Sequence, residues 1–418
     1  MKLPVPPGFD HARGWQDSLT WVPDGATSRP FAAAPRSGAV ALLKKKGDAY
    51  VVEVRDEETG ALRFAGEPWR APQPLELYGE EASTPGVEIV VQDGVEHLVL
   101  WAHGREGEDG LSKGEEVVAL AVYALDARGT SAAPARVVSV TYDGGRSAAR
   151  VRDGGAGALI TSERGDESVS VDARSGKVRR YPSTLELAGT CERVGCGGGS
   201  KVRAVTEKGP VVAHSSGGFG VPDVWNNSRF VPPGADAEGV EKDRARAVTA
   251  QPGHVVASWT AGDGGDGVWA VHAAESGEVE AEARCEEGPS DDSPSSLSPD
   301  GRYLTAGPLA FDLKEGKGFC FAETAQRRGV TLLSVGDDGV AYGLAKADPS
   351  VGGDASPAES PDAGAFTAGR AVTIPLSTGK AKALPEGVHP PVLSLGKAGV
   401  FTPPADGPGL LFAFYRRG

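Results

Sequence analysis

Four cysteines, seven histidines and fifty-seven carboxylates are the side chains of this 418-residue chain that could do chemistry. The cysteines form two neighbouring couples, Cys191 with Cys196 and Cys285 with Cys320. An even count at local spacing suits disulfides. No Cys-x-x-Cys or Cys-x-x-His pair is present, so nothing prepares the four converging ligands of structural zinc. The histidines, His11, His97, His103, His214, His254, His272 and His389, contain no pair at metal-ligand spacing and read as strand or loop residues. The run Gly262-Asp263-Gly264-Gly265-Asp266-Gly267 could offer oxygens to calcium. It lacks the alternating acids and terminal Glu of a strong calcium loop and reads as a hairpin loop. A serine nucleophile would need a Gly-x-Ser-x-Gly elbow in an α/β setting, and neither occurs. A glycosidase would need two carboxylates held about 5 to 10 Å apart, a pair that sequence cannot select from so many. The expectation is no catalytic residue, no metal and no cofactor.

Composition narrows what could position such groups. The 59 glycines and 31 prolines are about twice the usual share and exclude a helical bundle or coiled coil. A formal charge of -14 argues against a broad electrostatic hold on nucleic acid or an anionic membrane. The N-terminal Met1-Lys2-Leu3-Pro4-Val5-Pro6-Pro7 has no apolar signal core, and no apolar run of membrane-spanning length occurs. With the paired cysteines, the expectation is a secreted or extracytoplasmic domain whose signal or anchor lies outside this sequence.

A repeat organises the rest. Short apolar, β-branched runs recur with Gly turns in a fixed order of strand, tight turn, strand, variable loop, strand, tight turn, strand. The third-to-fourth strand turn reads Glu58-Thr59-Gly60, Ala127-Arg128-Gly129, Arg174-Ser175-Gly176, Glu275-Ser276-Gly277, Lys314-Glu315-Gly316 and Ser377-Thr378-Gly379. The first turn reads Gln92-Asp93-Gly94, Arg152-Asp153-Gly154, Glu207-Lys208-Gly209, Pro299-Asp300-Gly301, Asp337-Asp338-Gly339 and Lys397-Ala398-Gly399. Eight units follow, numbered 1 to 8 below: 26–69, 86–140, 146–182, 200–233, 246–284, 294–322, 329–385 and 390–418. Four short strands cannot bury both faces of their sheet alone, but units stacked radially can. The predicted fold is all-β, a single β-propeller over 1–418 with eight four-stranded blades, seven being the alternative count and two β-sandwiches the alternative fold. Unit 8 shows three strands, so the N-terminal segment 1–25, through Ser18-Leu19-Thr20-Trp21-Val22, is expected to supply the fourth and close the ring.

These turns resemble the quinoprotein-like (PQQ-like) propeller repeat, in which Asp-x-x-Thr-Gly precedes a strand ending in Trp. Thr59-Gly60 followed by Trp69, with Ser175-Gly176, Ser276-Gly277 and Thr378-Gly379, carry the likeness. Ser298-Pro299-Asp300-Gly301-Arg302-Tyr303-Leu304 resembles the blade start of Tol-type and tryptophan-aspartate propellers, and the whole chain resembles secreted actinomycete propeller proteins of uncharacterised activity. The resemblance implies a compartment and a fold. An active quinoprotein, it further implies, would carry adjacent cysteines and a near-complete set of docking tryptophans, which this chain lacks. Thr141-Tyr142-Asp143-Gly144-Gly145-Arg146-Ser147 partly matches the Asp box of sialidase propellers, but it occurs once, between units, and reads as a connecting turn.

Long segments gather on one face of such a ring: 70–85, 104–114, 185–200, 215–222, 261–267, 286–293 and 346–370, the last predicted to be a disordered loop from its Asp, Ser, Pro, Gly and Ala content. Variable loops on a rigid scaffold carry recognition. The residues expected at the mouth are Trp101, His103, Arg105, His214, Phe219, Trp225, Asn226 and Trp259, Trp being an efficient contact residue. The functional expectation is a monomeric, non-catalytic module that binds a protein or cell-envelope glycan, with a glycoside- or polysaccharide-active enzyme as the alternative. No nucleic-acid partner and no membrane insertion are expected.

Overall fold

A computed structural model describes residues 3–23, 26–76, 83–109, 111–145, 147–163, 167–187, 199–238, 243–291, 293–346, 369–403 and 409–418. Among them no α-helix occurs, only a 3-10 turn at Asn227–Arg229, and no helix is long and apolar enough to cross a membrane. The fold is all-β, of propeller type: successive, mainly antiparallel sheets that follow the sequence units, with Gly129–Ala132 of unit 2 added in parallel to the edge of the unit 1 sheet. Unit 1 holds Phe31–Ala34, Ala39–Lys46, Ala49–Asp56 and Leu62–Gly66; unit 3 holds Arg150–Asp153, Ala158–Thr161, Glu167–Val171 and Val178–Pro182. Unit 5 and unit 6 are joined into one eight-stranded sheet by a single parallel pairing, Glu282 with Lys317.

Burial along the strands explains the packing. In unit 2 the second strand, Val95–Glu108, is buried without interruption from Leu98 to Gly104, whereas the fourth strand of unit 3 is largely exposed. Continuous burial means that both faces of the sheet are covered. Apolar clusters lie between consecutive units: Val54, Phe64, Leu98 and Tyr123 join units 1 and 2, and Val256, Trp269, Leu304 and Phe311 join units 5 and 6. Another unites Phe31, Val40 and Leu42 of unit 1 with Val400, Phe412 and Phe414 of unit 8. The seam between units 3 and 4 is the exception: among the described residues Leu159, Val202 and Val205 are enclosed there, with Ala156 and Tyr181 packed against them.

The third-to-fourth strand turns explain their own motif. Asp56 Oδ1 accepts the N–H groups of Glu58 and Thr59 and the Thr59 hydroxyl, while Gly60 N–H donates to the Asp56 carbonyl at 2.9 Å. Asp172 and Asp312 make the equivalent bonds in units 3 and 6. Such Asx bonds replace the backbone partners that a turn loses. Gly60 sits at φ +70, and a Cβ there would meet the Trp15 indole at 2.6 Å; Gly277 at φ +81 would meet Trp225 at the same distance. Val138 and Phe319 occupy the corresponding places against Gly176 and Gly379. Each of these side chains comes from the outer strand of the preceding unit, so the glycine removes the Cβ that would block sheet-to-sheet docking.

Three expectations need correction. The N-terminal strand that pairs with Leu410–Arg417 is Phe9–Leu19, running from Phe9 opposite Arg417 to Leu19 opposite Leu410, rather than 18–22. Trp21 instead turns onto unit 1, where its indole donates to the Leu43 carbonyl at 2.7 Å. Segment 104–114 is no loop: Val95–Glu108 and Lys113–Ala124 form one long hairpin across it. Segment 215–222 contains the strand Phe219–Val221, leaving a tight turn. Of the predicted disordered loop, residues 347–368 lie outside the described residues.

Candidate binding site in the central cavity

The first strands of the units wall a cavity of about 670 Å³. First turns at Asp93-Gly94, Asp153, Pro252-Gly253 and Ser298-Pro299 line one end, and the incoming segments around Ser28-Arg29 and Asp291 line the other. A strand that is buried against neighbours on both faces can expose polar side chains only along its inner edge, which is where charge collects here. Arg150 and Arg152, alternating with the buried Val151, project from the first strand of unit 3. Arg203, from the first strand of unit 4, lies behind them.

Their contacts are specific. Arg152 Nη2 donates to the Arg203 carbonyl at 2.8 Å, while its buried Nε has no partner among the described residues. Arg203 Nη2 reaches both carboxylate oxygens of Asp291, at 3.1 and 2.9 Å, bridging unit 4 to the segment between units 5 and 6. Arg152 keeps partial access to cavity solvent but is enclosed by protein, and burial first, then the Arg203 and Arg150 charges, pull its pKa down to about 10. At the other end, burial pushes the Asp153 carboxyl up to about 6 even though its oxygens accept the Val91 and Gly155 N–H groups. A smaller cavity of about 250 Å³ at the edge of unit 4 is lined by Leu187, Val221, Trp225, Asn226 and Arg229 among others.

The residues expected at the mouth are mostly inside the walls. Trp101 borders the cavity but is 5% exposed and lies against Gly86. His103 is buried, accepting the Ala149 N–H at Nδ1, which leaves Nε2 to donate to Glu116 at 2.9 Å. Burial lowers its pKa despite Glu116. Because Glu116 also accepts the Gly144 N–H, this pair ties down the connection from unit 2 to unit 3 that carries the partial Asp-box sequence. Phe219, Trp225 and Trp259 are buried together around His272, with Phe219 5.1 Å and Trp259 5.7 Å from it. Trp225 donates to the Ala274 carbonyl of unit 5, and Asn226 accepts from Ser228. His214 is buried at the end of Gly209–His214. Of the eight, only Arg105 and Asn226 are partly exposed. These residues are large and flat, and sheet-to-sheet packing claims them for the same reason that recognition would.

Sequence reasoning missed the arginine wall. Its one available signal was Arg150-Val151-Arg152, two cations on the same side of a first strand whose counterparts, such as Phe31–Ala34, are apolar. No group of His, Cys, Asp and Glu poised to hold a metal exists among the described residues. Cys285 and Cys320 are joined in a disulfide with Cα atoms 5.5 Å apart, as their spacing predicts, and Cys191 and Cys196 lie outside the described residues.

No protein-family profile matches the chain, and no curated protein matches it. Among solved structures it is similar to the Dos1 propeller, at 8% identity, covering 99% of this chain and 95% of that one, with a TM-score of 0.42. An uncharacterised protein of Listeria monocytogenes aligns at 7% identity over 90% and 89% of the two chains, with a TM-score of 0.36. A quinohemoprotein alcohol dehydrogenase of Pseudomonas putida aligns at 11% identity, 91% of this chain and 65% of that one, with a TM-score of 0.27.

Proposed function

We propose that the units form an eight-bladed ring of the quinoprotein-like repeat class, closed by the N-terminal strand, and that this ring is an extracytoplasmic binding module for a protein or envelope glycan. Pairing of Phe9–Leu19 with the C-terminal strand and the docking of Trp15 and Trp225 on the next unit's turn glycine support the ring and its repeat class. The disulfide supports the compartment.

The observation that carries the binding role is the unit 2 hairpin. Its strands run 14 and 12 residues, far beyond the four to eight residues of most others, and Leu111 at the tip is fully exposed. Gln73 and Pro74 pair with its Arg105 and Gly104, and Ser139 donates to Glu106, so the arm is braced rather than loose. Asp109 Oδ1 accepts the N–H groups of Leu111 and Ser112 and shapes the tip. A rigid arm ending in an apolar side chain offers a partner contact area at low entropic cost. Retention of the protein on isolated envelope protein and glycan fractions tests this, with Leu111→Asp as the variant. The wild type should be retained and Leu111→Asp should lose at least about tenfold in affinity. Equal retention of the two would remove the hairpin from the interface.

A catalytic reading has one observation in its favour, the cavity-side Asp153 held protonated up to about pH 6. Release of reducing ends from envelope polysaccharide, abolished by Asp153→Asn, would replace the binding module with a glycoside-active enzyme.

A further inference from the structure

We propose that the wall of the central cavity at the seam between units 3 and 4 binds an oxyanion, the carboxylate or phosphate group of a small ligand. Among the described residues this seam encloses fewer apolar side chains than the others, and the Arg150 and Arg152 guanidinium groups line the cavity beside it. Arg150 and Arg152 line the cavity here beside Glu88 and Asp291, Arg203 lies behind them, and Arg29 lines the same cavity from the segment before unit 1, in a protein whose overall charge is -14. Asp291 is engaged by Arg203. Arg152 donates one hydrogen bond, to a carbonyl, and the Asp291 and Glu88 carboxylates attract it only at longer range.

Burial first, and then the neighbouring Arg203 and Arg150 charges, oppose the Arg152 cation, which lowers its pKa. An anion with two or three acceptor oxygens supplies the missing partner, because the planar guanidinium fork matches carboxylate and phosphate geometry. The cavity has the volume to admit it. Asp93, Glu96 and Asp153 line the opposite end, where Arg36 lies beside Glu96 and Arg174 pairs with Asp93, so that end has its carboxylates partly balanced and, among the described residues, offers an anion no unpaired fork. This inference rests on the cavity and not on the hairpin, so either can fail without the other.

Calorimetric titration of the full chain with sodium phosphate and, separately, with sodium glucuronate, at ionic strength fixed with sodium chloride, tests it. Saturable binding of at least one is expected, weakened about tenfold or more by Arg152→Gln and by Arg29→Gln. Arg152→Lys, which keeps the charge but loses the fork, should fall between. Phosphate binding alone assigns a phosphoryl ligand, glucuronate binding alone a carboxylate. Unliganded Arg152→Gln should unfold at the same or a higher temperature than the wild type, since a buried charge near the Arg203 and Arg150 cations is removed; should it fail to fold, Arg29→Gln carries the comparison. Absence of saturable binding of both anions, or binding unchanged in both glutamine variants, overturns the proposal.

Discussion

Glycine and histidine residues show how single positions serve the packing of neighbouring sheets. At Gly277 two costs coincide, a positive φ and a Trp225 ring at 2.6 Å from where a Cβ would stand. At Gly253 the φ is +83 but nothing lies within 4 Å. Gly253→Ala is therefore expected to cost about 1 kcal/mol, from backbone conformation alone, and Gly277→Ala about 2 to 4 kcal/mol, because docking is disturbed as well. Urea unfolding of the two variants separates these contributions. His272 is fully buried, with Nδ1 donating to the Gly277 carbonyl at 2.9 Å, and burial lowers its pKa to about 4. The unfolded imidazole titrates near 6.5, so between those values the unfolded chain binds more protons. The stability His272 confers as a neutral ring is complete above about pH 6.5 and is lost as pH falls toward 4. His97, His103, His214 and His389 are lowered by burial too and act in the same direction. Asp56, held at about 2 by Arg63 and its turn bonds, adds a loss at still lower pH, below the ordinary carboxylate range. His272→Phe should flatten the fall in melting temperature between pH 7 and 5, and an unchanged slope would show that the ring is not neutral in the folded state.

At the scale of the element, the disulfide and the hairpin are the two features that depart from plain repetition. Cys285 follows the outer strand of unit 5 and Cys320 ends that of unit 6, so the bond reinforces two strands already joined by one parallel pairing. Cys285→Ser with Cys320→Ser is expected to cost about 2 to 4 kcal/mol, by releasing loop entropy in the unfolded chain. Thermal unfolding with and without reductant checks it. Thiol titration of the denatured, unreduced protein should find no reactive cysteine, which extends the test to Cys191 and Cys196. The units, their turns and this disulfide were legible in the sequence because each depends on local chemistry: a glycine at positive φ, an Asx bond two or three residues along, two cysteines 35 residues apart. The arm 104–114 was misread because Gly104, Gly107 and Gly114 look like loop punctuation. In the fold Gly104 instead makes room for the backbone of Gln73, where a Cβ would lie 2.5 Å from its carbonyl oxygen, and Gly114 admits the Glu106 carbonyl at the same distance.

For the whole molecule, the decisive element is the N-terminal strand, which is far from its partner in sequence and covers unit 8. Trp15 stacks on Phe414 at 5.8 Å and lies over the Phe412 ring at 5.3 Å, and its indole donates to the Glu57 carbonyl of unit 1. Removing residues 3–19 should expose the edge of Leu410–Arg417, replace a single unfolding transition by a broad one and promote aggregation, visible by calorimetry and size-exclusion chromatography. A sharp, unshifted transition would mean that the first and last units do not depend on this strand. The sequence by itself determined the strand-and-turn grammar, its repetition along the chain and the pairing of Cys285 with Cys320, since periodicity, glycine conformation and local spacing are properties of neighbouring residues. Only the tertiary structure decided which tryptophans are buried, where the first strand begins and that Arg29, Arg150 and Arg152 face a common cavity with Arg203 behind them, because sheet-to-sheet packing brings together residues that no local pattern relates.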